Sequence, residues 1–172
     1  RRLLHMNLRS RPALRVRPPL RVEVRSSLRG QVPSAARIAR WARAATGARG
    51  QGAELAVRIV GTTEGRKLNL LWRGRDYPTN VLSFPVPRVG RSAATRPLGD
   101  IVLCAPVIER EARKQHKRSD AHWAHMVVHG CLHLLGLDHE GEADARRMER
   151  RERRILAGFG IADPYLETTE SA

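Results

Sequence analysis

The sequence predicts an α/β domain in which a mixed sheet of about four strands is covered by about five helices, with a zinc site at the C-terminus of one helix. Strand and helix patterns alternate in the first half, a strongly apolar strand follows, and the last third is helical. An apolar fraction of 41% in 172 residues fits one folded domain. We expect this domain to span residues 20–166, between a basic, flexible tail (1–19) and a short C-terminal tail (167–172).

Alternation of apolar with charged residues, or a short apolar run, marks each predicted strand. The strands are expected at 20–24, 54–60, 80–84 and 99–104. A period close to 3.6 residues, with turn or capping residues at its ends, marks each predicted helix. The helices are expected at 33–45, 62–72, 106–117, 119–136 and 142–156. Residues 88–97 read as a polar loop.

Particular residues define the ends and buried faces of these helices. The predicted N-caps are Ser34, Thr62 or Thr63, and the pair Ser119-Asp120, whereas Gly47 and Gly136 are expected to end helices. The predicted inward positions are Ile38 with Trp41 or Ala42, then Leu68 and Leu71, then Met148, Ile155 and Leu156.

The charge balance favours a polyanionic partner. The formal net charge is +15 and the pI is about 11.5, which suits nucleic acid. Only three of the 32 basic residues are lysines, and an arginine bias this strong also arises from GC-rich codon usage. The charge therefore supports RNA binding without establishing it.

The expected cellular compartment follows from three features that the sequence lacks: a disulfide framework, a membrane-spanning segment and a signal peptide. Its two cysteines form no CxxC pair or disulfide framework, and no apolar run approaches the roughly 20 residues that cross a bilayer. No apolar segment typical of a signal peptide follows the first arginines. We expect a cytoplasmic protein with reduced cysteines and no membrane partner.

One short stretch carries metal-binding chemistry. His129 and His133 are four residues apart on a predicted helix, so both imidazoles point to one side. Gly136 permits the left-handed conformation that ends a helix, and His139 then returns as a third ligand. Three imidazoles suit Zn²⁺ and leave a fourth position for water, whose pKa zinc lowers from 15.7 toward about 7. The pattern predicts one catalytic zinc ion per chain.

Metalloproteases of the metzincin group share this histidine spacing but carry a glutamate after the first histidine as general base. Gly130 occupies that position here. A zinc metallopeptidase is therefore an alternative that lacks its base. A second alternative is a non-catalytic ribosome-assembly factor in which zinc has a structural role.

Two segments together resemble the YbeY family of bacterial rRNA maturation factors and metal-dependent endoribonucleases. The first is the histidine motif, residues 129–139. The second comprises Asn69, Arg73 and residues 76–85, followed by residues 98–101. The resemblance covers roughly residues 20–165. Leu137 departs from it, because the family often has an aromatic residue there.

This resemblance implies an α/β fold with zinc beside a positively charged cleft. The implied activity is single-strand-specific endoribonuclease cleavage in maturation of the 3′ end of 16S rRNA and in ribosome quality control. The implied partners are precursor rRNA and the small ribosomal subunit with its proteins or an assembly GTPase; no DNA partner is expected.

The predicted catalytic residues are Arg73, which matches the family's functional arginine and can bind a phosphate through two hydrogen bonds, and the three histidines. Five further residues are candidates for contacts behind the metal ligands or with substrate. They are Asp138, which adjoins a ligand, His125, which extends the histidine stripe, and Asn80, Ser83 and Asp100. For each of them a purely structural role is the competing interpretation.

Overall fold

The computed structural model describes residues 17–30, 32–87, 96–137 and 141–166. The described residues form four strands and five α-helices, which confirms the predicted α/β class. In chain order these are β1 (Arg21–Ser26), α1 (Ala35–Thr46), β2 (Ala53–Val60), α2 (Thr62–Arg73), β3 (Val81–Pro85), β4 (Arg96–Cys104), α3 (Ala105–Lys114), α4 (Ser119–Leu134) and α5 (Glu142–Ala157). The two predicted tails lie mostly outside the described residues.

The sheet is mixed, with the strand order β1-β2-β4-β3. β1, β2 and β4 run parallel, and helical connections link them along the chain. β3 pairs antiparallel with β4 and forms one edge of the sheet. β3 precedes β4 in sequence and lies at the edge of the sheet. The segment that follows α2 therefore ends beside β4, the most apolar strand.

One face of the sheet, the covered face, carries the main core. Leu55, Ile59 and Ile101 project from it and are almost fully buried. α1 and α4 pack over this face, contributing Ile38 and Trp123. α4 is buried on nearly every side, since it also contacts α3, α5 and the edge strand β3. Side chains on α4 are therefore held by neighbours on several elements.

The opposite face, the open face, carries the alternate strand residues, among them Arg25, Ala56, Arg58 and Asp100. Its apolar cluster is small and joins the end of β2, β3, β4 and α3 to part of α2. α2 covers only one side of this face. The prediction that Leu71 faces inward is wrong: it is 68% exposed, because α2 meets the sheet through Leu68 near the sheet's edge.

Three helix ends agree with the sequence analysis. The Ser34 side chain accepts a hydrogen bond from the Arg37 backbone N–H at 3.4 Å and caps α1. Gly47 follows α1 with φ of +51°. Gly136 has φ of +81°, and it turns the chain just after α4 ends at Leu134.

Two predicted caps are wrong. Gly61, not a threonine, is the N-cap residue of α2, and Thr62 is already helical. Arg118 is the N-cap residue of α4, and no side chain caps that end. Ser119 instead donates its hydroxyl to Glu109 Oε1 at 2.6 Å, so a contact with α3 replaces the local cap.

The predicted loop at 88–97 is too long at its C-terminal end. β4 begins at Arg96, because pairing with β2 extends to Ala53 opposite Arg96. The remainder of that segment, 88–95, lies outside the described residues. Within the described ranges, every helix is too short or too polar to cross a lipid bilayer.

Candidate metal centre

The C-terminal half of α4 carries His129 and His133, one turn apart. Their Nε2 atoms lie 3.1 Å from each other, their ring centroids are 4.6 Å apart and their planes are inclined by 75°. Both side chains are partly buried, whereas most of α4 is fully buried. The two ring nitrogens therefore converge on one point near the protein surface.

This arrangement fits one zinc ion. Two tetrahedral ligands at about 2.0–2.1 Å from zinc lie about 3.3 Å from each other, close to the Nε2–Nε2 distance of 3.1 Å. The predicted third ligand, His139, and its neighbour Asp138 lie outside the described residues. The described part of α4 thus supplies two donor atoms at a spacing that suits the metal.

A buried carboxylate on α5 orients the His129 ring. Glu152 is 0% exposed, and its Oε1 accepts a hydrogen bond from His129 Nδ1 at 2.7 Å. Its Oε2 accepts a hydrogen bond from the Tyr165 hydroxyl. Because the carboxylate can only accept, the His129 proton is assigned to Nδ1, and the Nε2 lone pair faces His133. A metal-ligating histidine needs this tautomer.

The surroundings keep Glu152 charged. Burial alone raises the pKa of its carboxyl, but interactions with His125, His129 and Tyr165 outweigh burial and lower that pKa to about 2. Burial lowers the pKa of His125 and raises the pKa of the Tyr165 hydroxyl. The charged carboxylate accepts the hydrogen bond from His129 Nδ1.

His125, His129 and Glu152 form a second group that could hold a metal ion. One ligand atom from each lies within 4.8 Å of the others, and His125 Nε2 is 3.4 Å from Glu152 Oε2. His125 and Glu152 are buried, however, whereas a hydrolytic ion must also bind water. The half-buried pair His129–His133 suits such an ion better, and the buried group suits orientation of His129.

The residue after the first histidine has a packing role. A Cβ atom on Gly130 would lie 3.1 Å from both Ile101 Cδ1 and Val81 Cγ2, and 3.2 Å from Ser83 Oγ. Ser83 also donates its hydroxyl to the Gly130 carbonyl at 3.2 Å. α4 therefore lies so close to β3 and β4 that a glutamate cannot occupy this position without displacing them.

Cys131 lies within the histidine motif but belongs to the core. It is fully buried, and burial raises the pKa of its thiol to about 12. The thiol therefore remains protonated and is a poor metal ligand.

Arg73 and Asp100 lie on the open face of the sheet, whereas Ser83 lies on the edge strand β3 with its side chain on the covered face, opposite Ile101. They line a groove of about 1060 Å³ on the open face, in which Asp100 stands opposite Phe84 across the β3–β4 pair. His129 and His133 do not line this groove. The structure thus groups three predicted site residues with one another, next to α4 but not within the imidazole cluster.

Asn80 contacts the protein scaffold. Its side chain donates to Glu111 Oε2 at 3.0 Å and accepts from the Val81 backbone N–H at 2.7 Å. Glu111 also contacts His122 Nε2 at 2.9 Å. These bonds fix the start of β3, so the described contacts of Asn80 are structural.

Sequence reasoning did not identify Glu152 or Tyr165. A signal for Glu152 was present, because Met148, Glu152 and Leu156 are spaced by four and form one buried stripe of α5. A single acid within an apolar stripe indicates a buried partner for its charge. Tyr165 follows α5 in an irregular segment, where no periodicity marks it.

Comparison with known proteins identifies the family. A family model described as Endoribonuclease YbeY matches residues 29–160. A protein of Alkalilimnicola ehrlichii named Endoribonuclease YbeY is 56% identical over 86% of this chain and 92% of its own length. A protein of Stutzerimonas stutzeri with the same name is 48% identical over 86% of this chain and 92% of its own length.

A solved structure agrees in fold. The solution structure of a Thermotoga maritima protein superposes with a TM-score of 0.51 and 22% identity, covering 86% of this chain and 99% of the other. At this identity the likeness concerns the fold alone. The family match and the identity to curated relatives over most of both chains carry the assignment: this chain belongs to the YbeY endoribonuclease family.

Proposed function

We propose that this protein is a zinc-dependent, single-strand-specific endoribonuclease that acts in maturation of the 3′ end of 16S rRNA and in ribosome quality control. Membership of a family named for endoribonuclease activity supports the reaction class. The observation that carries the metal dependence is the pair of Nε2 atoms 3.1 Å apart, with one ring held by a buried carboxylate. His139 completes this proposed ligand set.

When bound, zinc would supply Lewis acidity and a water of lowered pKa. The chain's own residues prepare the site. Glu152 holds the proton of His129 on Nδ1 and keeps Nε2 available. Arg73, exposed at the end of α2, binds a phosphate of the substrate. Ser83 ties β3 to the helix turn that bears the ligands.

The metal dependence is tested with purified protein and an unstructured RNA. We expect about one zinc per chain, cleavage of the RNA, and loss of cleavage after removal of zinc or in the variant His133→Ala. His116 is an exposed histidine with φ of +52°, so His116→Asn is a matched control that should retain activity. If zinc-free and His133→Ala proteins cut RNA as well as the original, the proposal fails.

The cellular role is tested separately, because cleavage in vitro does not identify the substrate. Mapping the 3′ ends of 16S rRNA in cells that carry His133→Ala should show unprocessed ends. The proposed partners are precursor rRNA and the small ribosomal subunit, with its proteins or an assembly GTPase. Normal 3′ ends in those cells would remove the rRNA role while leaving the nuclease activity intact.

A further inference from the structure

The open face of the sheet contains the groove of about 1060 Å³ that also includes Arg73. Strand residues Arg25, Ala56 and Arg58 lie along one side, and Trp72 and Phe84 lie along the other. Such a groove, with aromatic and cationic walls and a solvent-exposed course, suits an extended anionic chain better than a compact ligand.

Trp72 is exposed in a way that packing does not explain. It is 61% exposed, whereas Trp41 and Trp123 are 4% and 1% exposed. Its ring meets Phe84 edge-on, with centroids 5.6 Å apart and planes inclined by 64°. This contact holds the indole at the groove wall while much of its surface stays in solvent. An indole placed in this way can stack on a nucleobase.

The cations of the groove suit phosphates. Arg73 directly follows Trp72 and forms no ion pair with any residue in the described ranges, so its guanidinium is available. Arg25 pairs with Glu23 at 2.6 Å, and Arg58 pairs with Glu64. Both arginines are exposed, and ion pairs of exposed side chains are weak in water. A phosphate can therefore replace either carboxylate.

One end of the groove reaches β3, the edge strand that packs against α4. Ser83 lines the groove from β3, and its hydroxyl, which projects from the covered face, donates to the carbonyl of Gly130, the residue after His129. A strand that crosses the β3 edge as it leaves the groove would therefore pass beside the helix turn that carries His129. This continuity connects a binding surface on one face of the sheet with chemistry beyond its β3 edge.

We propose that the open-face groove binds a single-stranded segment of the RNA substrate, with one base stacked on Trp72 and the neighbouring phosphate bound by Arg73. This inference rests on the proposed nuclease function and adds the location and chemistry of substrate binding. A strand that must stack on an indole needs an unpaired base, so the groove also accounts for selection of single-stranded RNA.

The test uses Trp72 as its own reporter, because the other two tryptophans are buried. Zinc-free protein, which does not cut its ligand, is titrated with a twelve-nucleotide oligouridylate while tryptophan fluorescence is recorded. We expect quenching that saturates in the original protein. Because Trp72→Ala lacks the reporting indole, binding by this and the other variants is measured by the anisotropy of a fluorescein-labelled oligouridylate, and it should be about tenfold weaker in Trp72→Ala. Trp72→Phe should retain part of the affinity, because phenylalanine still offers a stacking face.

Two controls separate stacking from other causes. Leu71→Ala alters an equally exposed neighbour on α2 that does not line the groove, so its affinity should be unchanged. Inorganic polyphosphate has the charge without bases, so its binding should not depend on Trp72. Unchanged oligouridylate affinity in Trp72→Ala, or an equal loss with polyphosphate, overturns the proposal.

This outcome is distinguishable from failure of the proposed function. If Trp72→Ala binds normally while zinc-loaded protein still cuts RNA, the groove assignment fails and the nuclease function stands. If the original protein binds RNA through Trp72 but does not cut it with zinc present, the groove stands and the nuclease function fails.

Discussion

The two faces of the sheet use the same strands in opposite ways. Ile59 on β2 is fully buried under the helices, whereas its neighbour Arg58 is exposed in the groove. On the covered face, close packing and the hydrogen bond to the buried Glu152 orient the His129 ring. On the open face, exposed side chains surround a groove, and they can change conformation to fit the proposed RNA strand. Alternation of side chains along the strands thus places the proposed metal centre on the closely packed side of the sheet and the proposed RNA-binding groove on its exposed side.

The largest expected effect contrasts one glutamate on each face. Gly130→Glu forces a carboxylate between α4, Ile101 and Val81, and we expect a loss of more than about 3 kcal/mol in the free energy of unfolding. Ala56→Glu puts the same side chain on the exposed face and should change stability by about 0.5 kcal/mol or less. Denaturant unfolding measures both. Equal stability of the two variants would contradict the contrast between the faces.

Removal of the buried charge tests how the covered face holds its metal ligand. In Glu152→Gln the amide replaces one acceptor oxygen with a donor, so His129 and Tyr165 cannot both be satisfied. We expect zinc affinity to fall about 10- to 100-fold, measured by chelator competition. Glu149→Gln, one turn earlier and paired with Arg153 at the surface, is the matched control and should bind zinc normally.

The salt concentration should affect RNA binding on the open face much more than zinc binding on the covered face. If Arg25, Arg58 and Arg73 each contact a phosphate, raising the salt concentration from 50 to 200 mM weakens oligouridylate binding by about 20-fold. Zinc affinity depends on hydrogen-bonded, partly buried groups and should change by less than about threefold. Titrations of both ligands across this range give the comparison. RNA binding that is insensitive to salt would remove the arginines from the interface.

The smallest expected effect is that of a single hydroxyl. Tyr165→Phe keeps the ring against His125 and Arg153 but removes the hydrogen bond to Glu152. We expect a loss of about 0.5–1.5 kcal/mol in stability and a few-fold loss in zinc affinity. Tyr77→Phe removes an exposed hydroxyl that contacts only Arg75 among the described residues, and it should change neither quantity.

The sequence predicted the elements well because their patterns are local. Alternation in β2 and the four-residue spacing in α4 depend on burial of one face, which neighbouring residues reveal. The prediction that Leu71 faces inward was wrong because α2 lies at the side of the sheet. A helix in that position buries a narrower stripe of its surface than its apolar residues suggest. Ser119 failed as a cap because its hydroxyl bonds to Glu109, a partner on another helix.

The candidate site was only partly predictable for the same reason. His129 and His133 are close in sequence, so helix geometry alone brings their rings together. Glu152 lies 23 residues from the ring that it orients, and only the packing of α5 against α4 joins them. The groove around Arg73 could not be derived either, because it depends on which part of the sheet α2 leaves uncovered.

The bond between Tyr165 and Glu152 has a consequence for the order in which the chain is made. The ribosome synthesises His129 and His133 before it adds Glu152 and, last of these, Tyr165. A nascent chain that stops before Tyr165 carries the histidines without their complete support. Full assembly of the proposed metal centre therefore has to await translation of its C-terminal segment, and we expect chains that terminate before it to bind zinc more weakly.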